Sequence, residues 1–159
     1  SNFIYSRFFH GPRFQCHGGI IRGISSNDNF GADGIVLQRH QLPNTEQFKL
    51  ESENVEITLE SYPMLIEAAF QNAGMVTMEK TDMQALPIGI SSTTILRQPE
   101  KTAKLLIRTI CRSISDDVSV HDAVIVEDSP KQPKVMLIEG IKLKALAPLE
   151  ESMRFDLER

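Results

Sequence analysis

Apolar positions along the chain fall into two regimes. Between Ser61 and Val76, Leu65, Ile66, Ala68, Ala69, Phe70 and Ala73 leave no wide polar stripe, so the spacing predicts a helix buried on several sides by a layer of sheet. Ser61 suits the cap, and Pro63 suits an early position where a missing N–H is no loss. Gly74, with β-branched residues beyond it, weakens the far end, and Thr77 to Gln84 reads as a charged connection. Elsewhere the apolar runs are short, rich in β-branched residues and separated by turn formers, which is the signature of strands.

His17 to Ile24 is the first such run, and Gly34 to Gln38 reads as its return across a turn at Ser25 to Phe30. Arg39 to Glu60 is polar, contains Pro43 and reads as a surface excursion. After the helix come Ala85 to Ile90, continued by Ser92 to Leu96, then Thr102 to Ser113, Val118 to Glu127 and Lys134 to Ala147. Two strands, one buried helix and three or four long antiparallel strands make an α+β layout, and a curved antiparallel sheet wrapped around one central helix is its simplest packing. We expect a single domain over residues 1–148 with a charged tail or linker over 149–159. The 159 residues suffice for one sizeable core.

Charge narrows the partners. A net charge of −4 and no basic stripe argue against nucleic acid. Cys16 and Cys111 lie far apart inside apolar patterns, so two buried free thiols are expected, with neither a disulfide framework nor a metal site. No apolar run reaches the length of a membrane span, and no charged-then-apolar leader opens the chain, which makes the cytoplasm the expected compartment. The opening Ser1-Asn2 suggests a tag scar or a piece of a longer polypeptide.

Candidate chemistry sits on the helix. Glu67 and Gln71 are four residues apart, hence on one face, one turn above the other. A carboxyl group held in an apolar pocket beside an amide is a candidate general acid or base. The alternative is that the pair marks a narrow solvent-facing edge. Of the four histidines, His17, His40 and His121 read as strand-end or loop residues with surface or capping roles. No spacing of His with Cys suits a metal, and no phosphate loop or nucleophile elbow is present.

Phe9-His10-Gly11-Pro12-Arg13-Phe14-Gln15, then Tyr62-Pro63-Met64-Leu65-Ile66-Glu67-Ala68-Ala69-Phe70-Gln71, then Leu86-Pro87 and the long strand Val135 to Leu146 resemble the C-terminal half of the dehydratase domains of polyketide synthases and polyunsaturated-fatty-acid synthases. The resemblance spans nearly the whole chain. It implies a hot-dog fold, one half of a double hot dog. It also implies loss of water from a 3-hydroxyacyl thioester carried on the phosphopantetheine arm of an acyl carrier protein, with no further cofactor and no metal. Implied partners are the carrier protein and a second hot-dog domain or a second copy.

In that family a His of the first hot dog takes the α-proton, and an Asp on the second hot dog's helix, with a Gln or His one turn on, serves the departing hydroxyl. Glu67 stands at the Asp position and Gln71 at its partner's. A carrier-protein dehydratase of bacterial fatty-acid synthesis likewise uses a helical Glu. The His-x-x-x-Gly-x-x-x-x-Pro motif that holds the family's base is absent from this sequence, so another chain or an upstream segment would supply it, or His10 would stand in. Phe8 and His10 replace the family's tyrosines at the turn. Phe8, Gly11, Pro12, Phe14, Leu86 and Pro87 are the substrate-lining residues the resemblance implies, and Arg13 would meet a carrier-protein phosphate. Two other readings stay open: a non-catalytic scaffold or acyl-binding module of a synthase, and a stand-alone acyl-thioesterase or hydratase in which Glu67 activates water.

Overall fold

A helix without a polar side folds only if something surrounds it, and here a single sheet does. The computed structural model describes residues 14–25, 30–37, 58–100 and 103–150. In chain order they form β1 (His17–Ser25), β2 (Phe30–Val36), α1 (Thr58–Thr81), β3 (Met83–Gly89), β4 (Ser92–Ile95), β5 (Leu105–Ser115), β6 (Val118–Glu127) and β7 (Lys134–Pro148). The sheet order is β1-β2-β5-β6-β7-β3, with β4 also on β7, and every pairing is antiparallel. The expected α+β architecture, one curved sheet around one central helix, is the architecture found.

Leu65, Ala68, Ala69 and Ala73 of α1 pack on Val36, Leu105, Ile107, Ala123, Ile125, Met136, Ile138, Ile141 and Leu143, all buried. The alanines present a narrow helix face, which lets the sheet approach closely. Burial of this kind, rather than intrinsic propensity, sustains most helices in proteins. It explains the first departure from the sequence reading: Gly74 does not end α1. Residues 71–78 are buried without a break, and the helix continues to Thr81, through much of the expected connection. It stops at Asp82, whose φ of 55° is the left-handed conformation that a short polar side chain tolerates at a helix end. The Asp82 carbonyl then receives the N–H of Leu149, a buried residue just past β7. At the other end α1 starts at Thr58, one turn before the expected cap. Pro63 therefore falls in the second turn, where it cannot donate to the Leu59 carbonyl.

Two strand expectations shift. β2 starts at Phe30, inside the expected turn, because Phe30 pairs with Ser25 on one side and Cys111 on the other. Ser92 to Leu96 does not continue β3: β4 is a separate short strand, lying on residues 136–139 of β7 while β3 lies on residues 142–148. The two segments of β7 are offset by a bulge at Gly140, whose φ is 63° and where an added Cβ would overlap the Ser91 side chain. Asp122 Oδ1 accepts the Gly140 N–H at 3.0 Å and holds that bulge. Cys16 and Cys111 are buried free thiols, as expected. No helix among the described residues is long and apolar enough to cross a membrane.

Candidate functional site

Glu67 and Gln71 meet as their spacing requires. Gln71 Nε2 donates to Glu67 Oε1 at 2.9 Å and to the Phe14 carbonyl at 2.6 Å, which accounts for both amide hydrogens. Gln71 is 1% exposed, whereas Glu67 is half-buried. The carboxylate thus stands at the margin of the core, tethered by a buried amide that is itself tied to the segment entering β1. The Phe14 carbonyl also accepts the Cys16 N–H at 3.0 Å, so one turn of backbone fixes both. Cys16 is a member of this cluster that the sequence did not reveal. Its thiol is pushed far up by burial and then by the Glu67 carboxylate, against an opposing hydrogen bond from Gln71. It stays protonated beside the carboxylate and is no nucleophile.

The next helix residue faces a different arrangement. Asn72 is fully buried; its Oδ1 accepts from His17 Nε2 at 2.9 Å, and its Nδ2 donates to the Ala32 carbonyl at 3.0 Å and to Thr109 Oγ1 at 2.8 Å. The Gly19 N–H donates to His17 Nδ1 at 3.1 Å, which fixes the proton on Nε2. Burial lowers the His17 pKa to about 4 against the raising effect of the Asn72 hydrogen bond, so the ring is neutral. Gly34 is the residue that makes room, since a Cβ there would lie 2.5 Å from His17 Nε2.

A third buried cluster lies toward the end of α1. Thr77 Oγ1 is 2.8 Å from both Ser119 Oγ and His121 Nε2, and those two are 2.9 Å apart. His121 Nδ1 has no hydrogen-bond partner among the described residues. Burial lowers this pKa to about 4 as well, with Asp122 opposing. The expectation that His17 and His121 are surface or capping residues is therefore corrected. Both are wholly buried, because the strands that carry them turn those positions onto the helix. Neither ring is presented to solvent as a base.

Of the other residues singled out in the sequence, Phe14 reaches the Glu67–Gln71 pair through its carbonyl and is itself 52% exposed. Leu86 and Pro87 are exposed on β3, the edge of the sheet opposite β1. Phe8, His10, Gly11, Pro12, Arg13 and His40 lie outside the described residues. No group of His, Cys, Asp and Glu that could hold a metal occurs among the described residues. A hollow of about 350 Å³ does occur, but it is lined mainly by outward-facing side chains of the sheet, among them Arg22, Asp33, Leu106, Arg108, Val124 and Val126, together with the core residue Ile107.

No family model and no curated protein matches the sequence. Solved structures do match. A hypothetical thioesterase from Streptococcus pneumoniae TIGR4, solved with coenzyme A, is 12% identical; the match covers 94% of this chain and 98% of that one, with a TM-score of 0.57. The PaaI protein of the Escherichia coli phenylacetic acid degradation operon is 15% identical over 94% and 97%, with a TM-score of 0.55. The dehydratase domain from the CurJ module of the curacin polyketide synthase is 14% identical, with a TM-score of 0.58, and the match takes in 93% of this chain but 48% of that one. One curled antiparallel sheet around one helix is common to all of them, and at these identities the likeness shows architecture alone: the chain has the hot-dog fold that thioesterases and polyketide synthase dehydratase domains share.

Proposed function

We propose that this chain acts on acyl thioesters through Glu67, and that its reaction is the dehydration of a 3-hydroxyacyl group presented on the phosphopantetheine arm of an acyl carrier protein. The observation that supports this reading is the tether of Glu67. A carboxyl group at the margin of the core, oriented by a buried amide whose hydrogens are both committed, is pre-organised for proton transfer. In its protonated form Glu67 donates to the departing 3-hydroxyl while a base removes the α-proton. The C–O bond breaks, the C=C bond forms, and water leaves. Gln71 acts through Glu67 and is a positioning residue.

The base is an imidazole other than His17 and His121, which are enclosed. Either His10 or a histidine of a second hot-dog unit supplies it in this reading. The chain spans about half the length of the CurJ dehydratase domain, which agrees with a unit that works beside another. Edge strand β3 is the natural seam: Leu86 is 41% and Ile88 56% exposed, Ile90 just past the strand is 38% exposed, and apolar side chains along an edge unpaired among the described residues invite another strand. Leu86 and Pro87 would then line the substrate channel at the junction, with Phe8, Gly11, Pro12 and Phe14 at its mouth.

A second reading, thioester hydrolysis with Glu67 activating water, is supported by the likeness in fold to a hypothetical thioesterase solved with coenzyme A. Two assays on the purified chain separate these readings. A 3-hydroxyacyl-pantetheine thioester is followed by enoyl absorbance, and a saturated acyl-pantetheine by released thiol. Enoyl formation that falls about 10²–10⁴-fold in Glu67→Gln, the usual range for a positioned acid or base, supports dehydration. Thiol release with the same sensitivity moves the assignment to hydrolysis. Equal rates in wild type and variant remove Glu67 from either reaction.

A further inference from the structure

A side chain can govern a reacting group without touching substrate, and the Glu67 carboxyl has such a neighbour. Cys16 is wholly buried on the segment that enters β1. Its N–H shares the Phe14 carbonyl with Gln71 Nε2, at 3.0 and 2.6 Å, and its own carbonyl accepts the Leu37 N–H at 2.8 Å. Backbone therefore fixes the residue to the end of β2 as well as to the turn that anchors Gln71. The thiol so held lies close enough to Glu67 and Gln71 for both to act on it. It belongs to the same buried cluster as Val36, Leu65, Ala68 and Ala69, a low-dielectric setting in which a weak dipole counts for more than it would in water.

Gln71 commits both amide hydrogens, one to the Phe14 carbonyl and one to Glu67 Oε1. The neutral thiol then acts on the carboxyl group through its own S–H, a weak donor. A strong donor in that place would favour the carboxylate over the carboxylic acid, and an apolar group would favour the acid. Cysteine stands between the two. The groups that the described residues bring to this side of Glu67 leave that balance to the thiol. From its own helix comes Gln71, which carries no charge, and from the end of β2 come Val36 and Leu37, which are apolar. From the segment entering β1 come the Phe14 carbonyl, Cys16, whose thiol burial keeps protonated, and His17, which is turned to Asn72 and neutral.

We propose that Cys16 is a positioning residue of this site: buried beside Glu67 and fixed by the turn into β1, its thiol sets how tightly Glu67 holds the proton it transfers. This rests on the reading of Glu67 as the acid or base of an acyl-thioester reaction. Cys16→Ser replaces a weak donor by a strong one of nearly the same shape, and Cys16→Ala removes the donor. The two changes act on the carboxyl group in opposite directions. A merely structural disturbance has no reason to do so.

The test is the titration of Glu67 by nuclear magnetic resonance in the full chain, isotope-labelled at the glutamate carboxyl carbon, with the resonance assigned by its loss in Glu67→Gln. Cys16→Ser is expected to lower the midpoint by about one pH unit and Cys16→Ala to raise it by about half of one, the scale on which a hydrogen bond to a charged group acts. With a 3-hydroxyacyl-pantetheine thioester as substrate, the limb of the kcat/KM profile that Glu67 governs should move with each midpoint, the alkaline limb where Glu67 is the acid. Any other order of the three midpoints overturns the proposal, and so does a profile that stays still in an enzyme that needs Glu67. If Cys16→Ser fails to fold, Cys16→Ala decides: a midpoint at or below that of the wild type overturns the proposal. The two readings fail separately. Midpoints in the expected order in a chain that Glu67→Gln leaves fully active remove the reaction and keep the hold of Cys16 on Glu67. A Glu67→Gln variant without turnover, beside midpoints that coincide, keeps the reaction and removes Cys16.

Discussion

Gln71 and Asn72 are neighbours on one helix, both carry buried amides, and both reach back to the chain around β1, yet they build opposite kinds of site. Asn72 closes a network: every polar atom of its side chain has a protein partner, and the imidazole it meets is neutral and wholly enclosed. Gln71 closes only itself. Its amide is consumed by the Phe14 carbonyl and Glu67, and the carboxylate it holds stays at the margin of the core. The difference teaches that a buried histidine beside an amide is not evidence of catalysis, because in a fully satisfied network the groups have nothing left to offer a substrate.

That contrast can be broken most forcefully with acid. The ordinary histidine value lies near 6.5, while His17 and His121 are lowered to about 4 in the fold. Above pH 6.5 both states are neutral. Between pH 6.5 and 4 the unfolded chain takes up protons that the folded chain refuses, so stability falls as pH drops and levels off below about 4. Linkage puts the loss at about 3 kcal/mol for each ring, enough for the two together to unfold a protein of ordinary stability. Urea unfolding at pH 7.5, 5.5 and 4 measures it, and a midpoint that does not move across that window refutes neutral burial of the rings.

Asn72→Ala attacks the closed side of the comparison alone. It strands His17 Nε2, the Ala32 carbonyl and Thr109 Oγ1 in the core, which costs about 3–5 kcal/mol by the penalty for unsatisfied buried groups. Melting temperature should drop by about 6–20 °C, and any activity that survives should keep its KM and kcat. A stable Asn72→Ala with lost turnover would make Asn72 a site residue and erase the distinction drawn above.

Gln71→Ala attacks the open side and gives the smallest effect. It releases Glu67 without removing it, so turnover should fall about 5- to 50-fold, less than in Glu67→Gln, at a stability cost of about 1–2 kcal/mol for the freed Phe14 carbonyl. Steady-state kinetics beside a melting curve separates the two. A turnover loss equal to that of Glu67→Gln would place Gln71 among the groups that contact substrate.

Much of the fold was legible along the chain because it rests on local periodicity. The apolar residues Leu65, Ile66, Ala68, Ala69, Phe70 and Ala73, which leave no wide polar stripe, demanded a wrapped helix, and the β-branched runs at Thr102 to Ser113 and Lys134 to Ala147 demanded strands. Glu67 beside Gln71 was equally legible, because residues four apart on a helix are stacked by its geometry.

What the chain could not announce was decided between distant segments. Thr77 and Gly74 looked like the end of a helix until β2, β5, β6 and β7 buried their neighbours and carried α1 on to Thr81. In Val118 to Glu127 both alternate sets contain aliphatic residues, so no local rule chose a face. The contact of Ser119 and His121 with Thr77 chose it and sent the valines outward. Glu67's anchor, the Phe14 carbonyl, lies 57 residues from Gln71, and a backbone acceptor leaves no mark in the residue type that carries it. Periodicity is written in backbone geometry and is read residue by residue. Which side of a strand is inside, and which carbonyl a buried amide finds, are fixed only when the sheet closes on its helix.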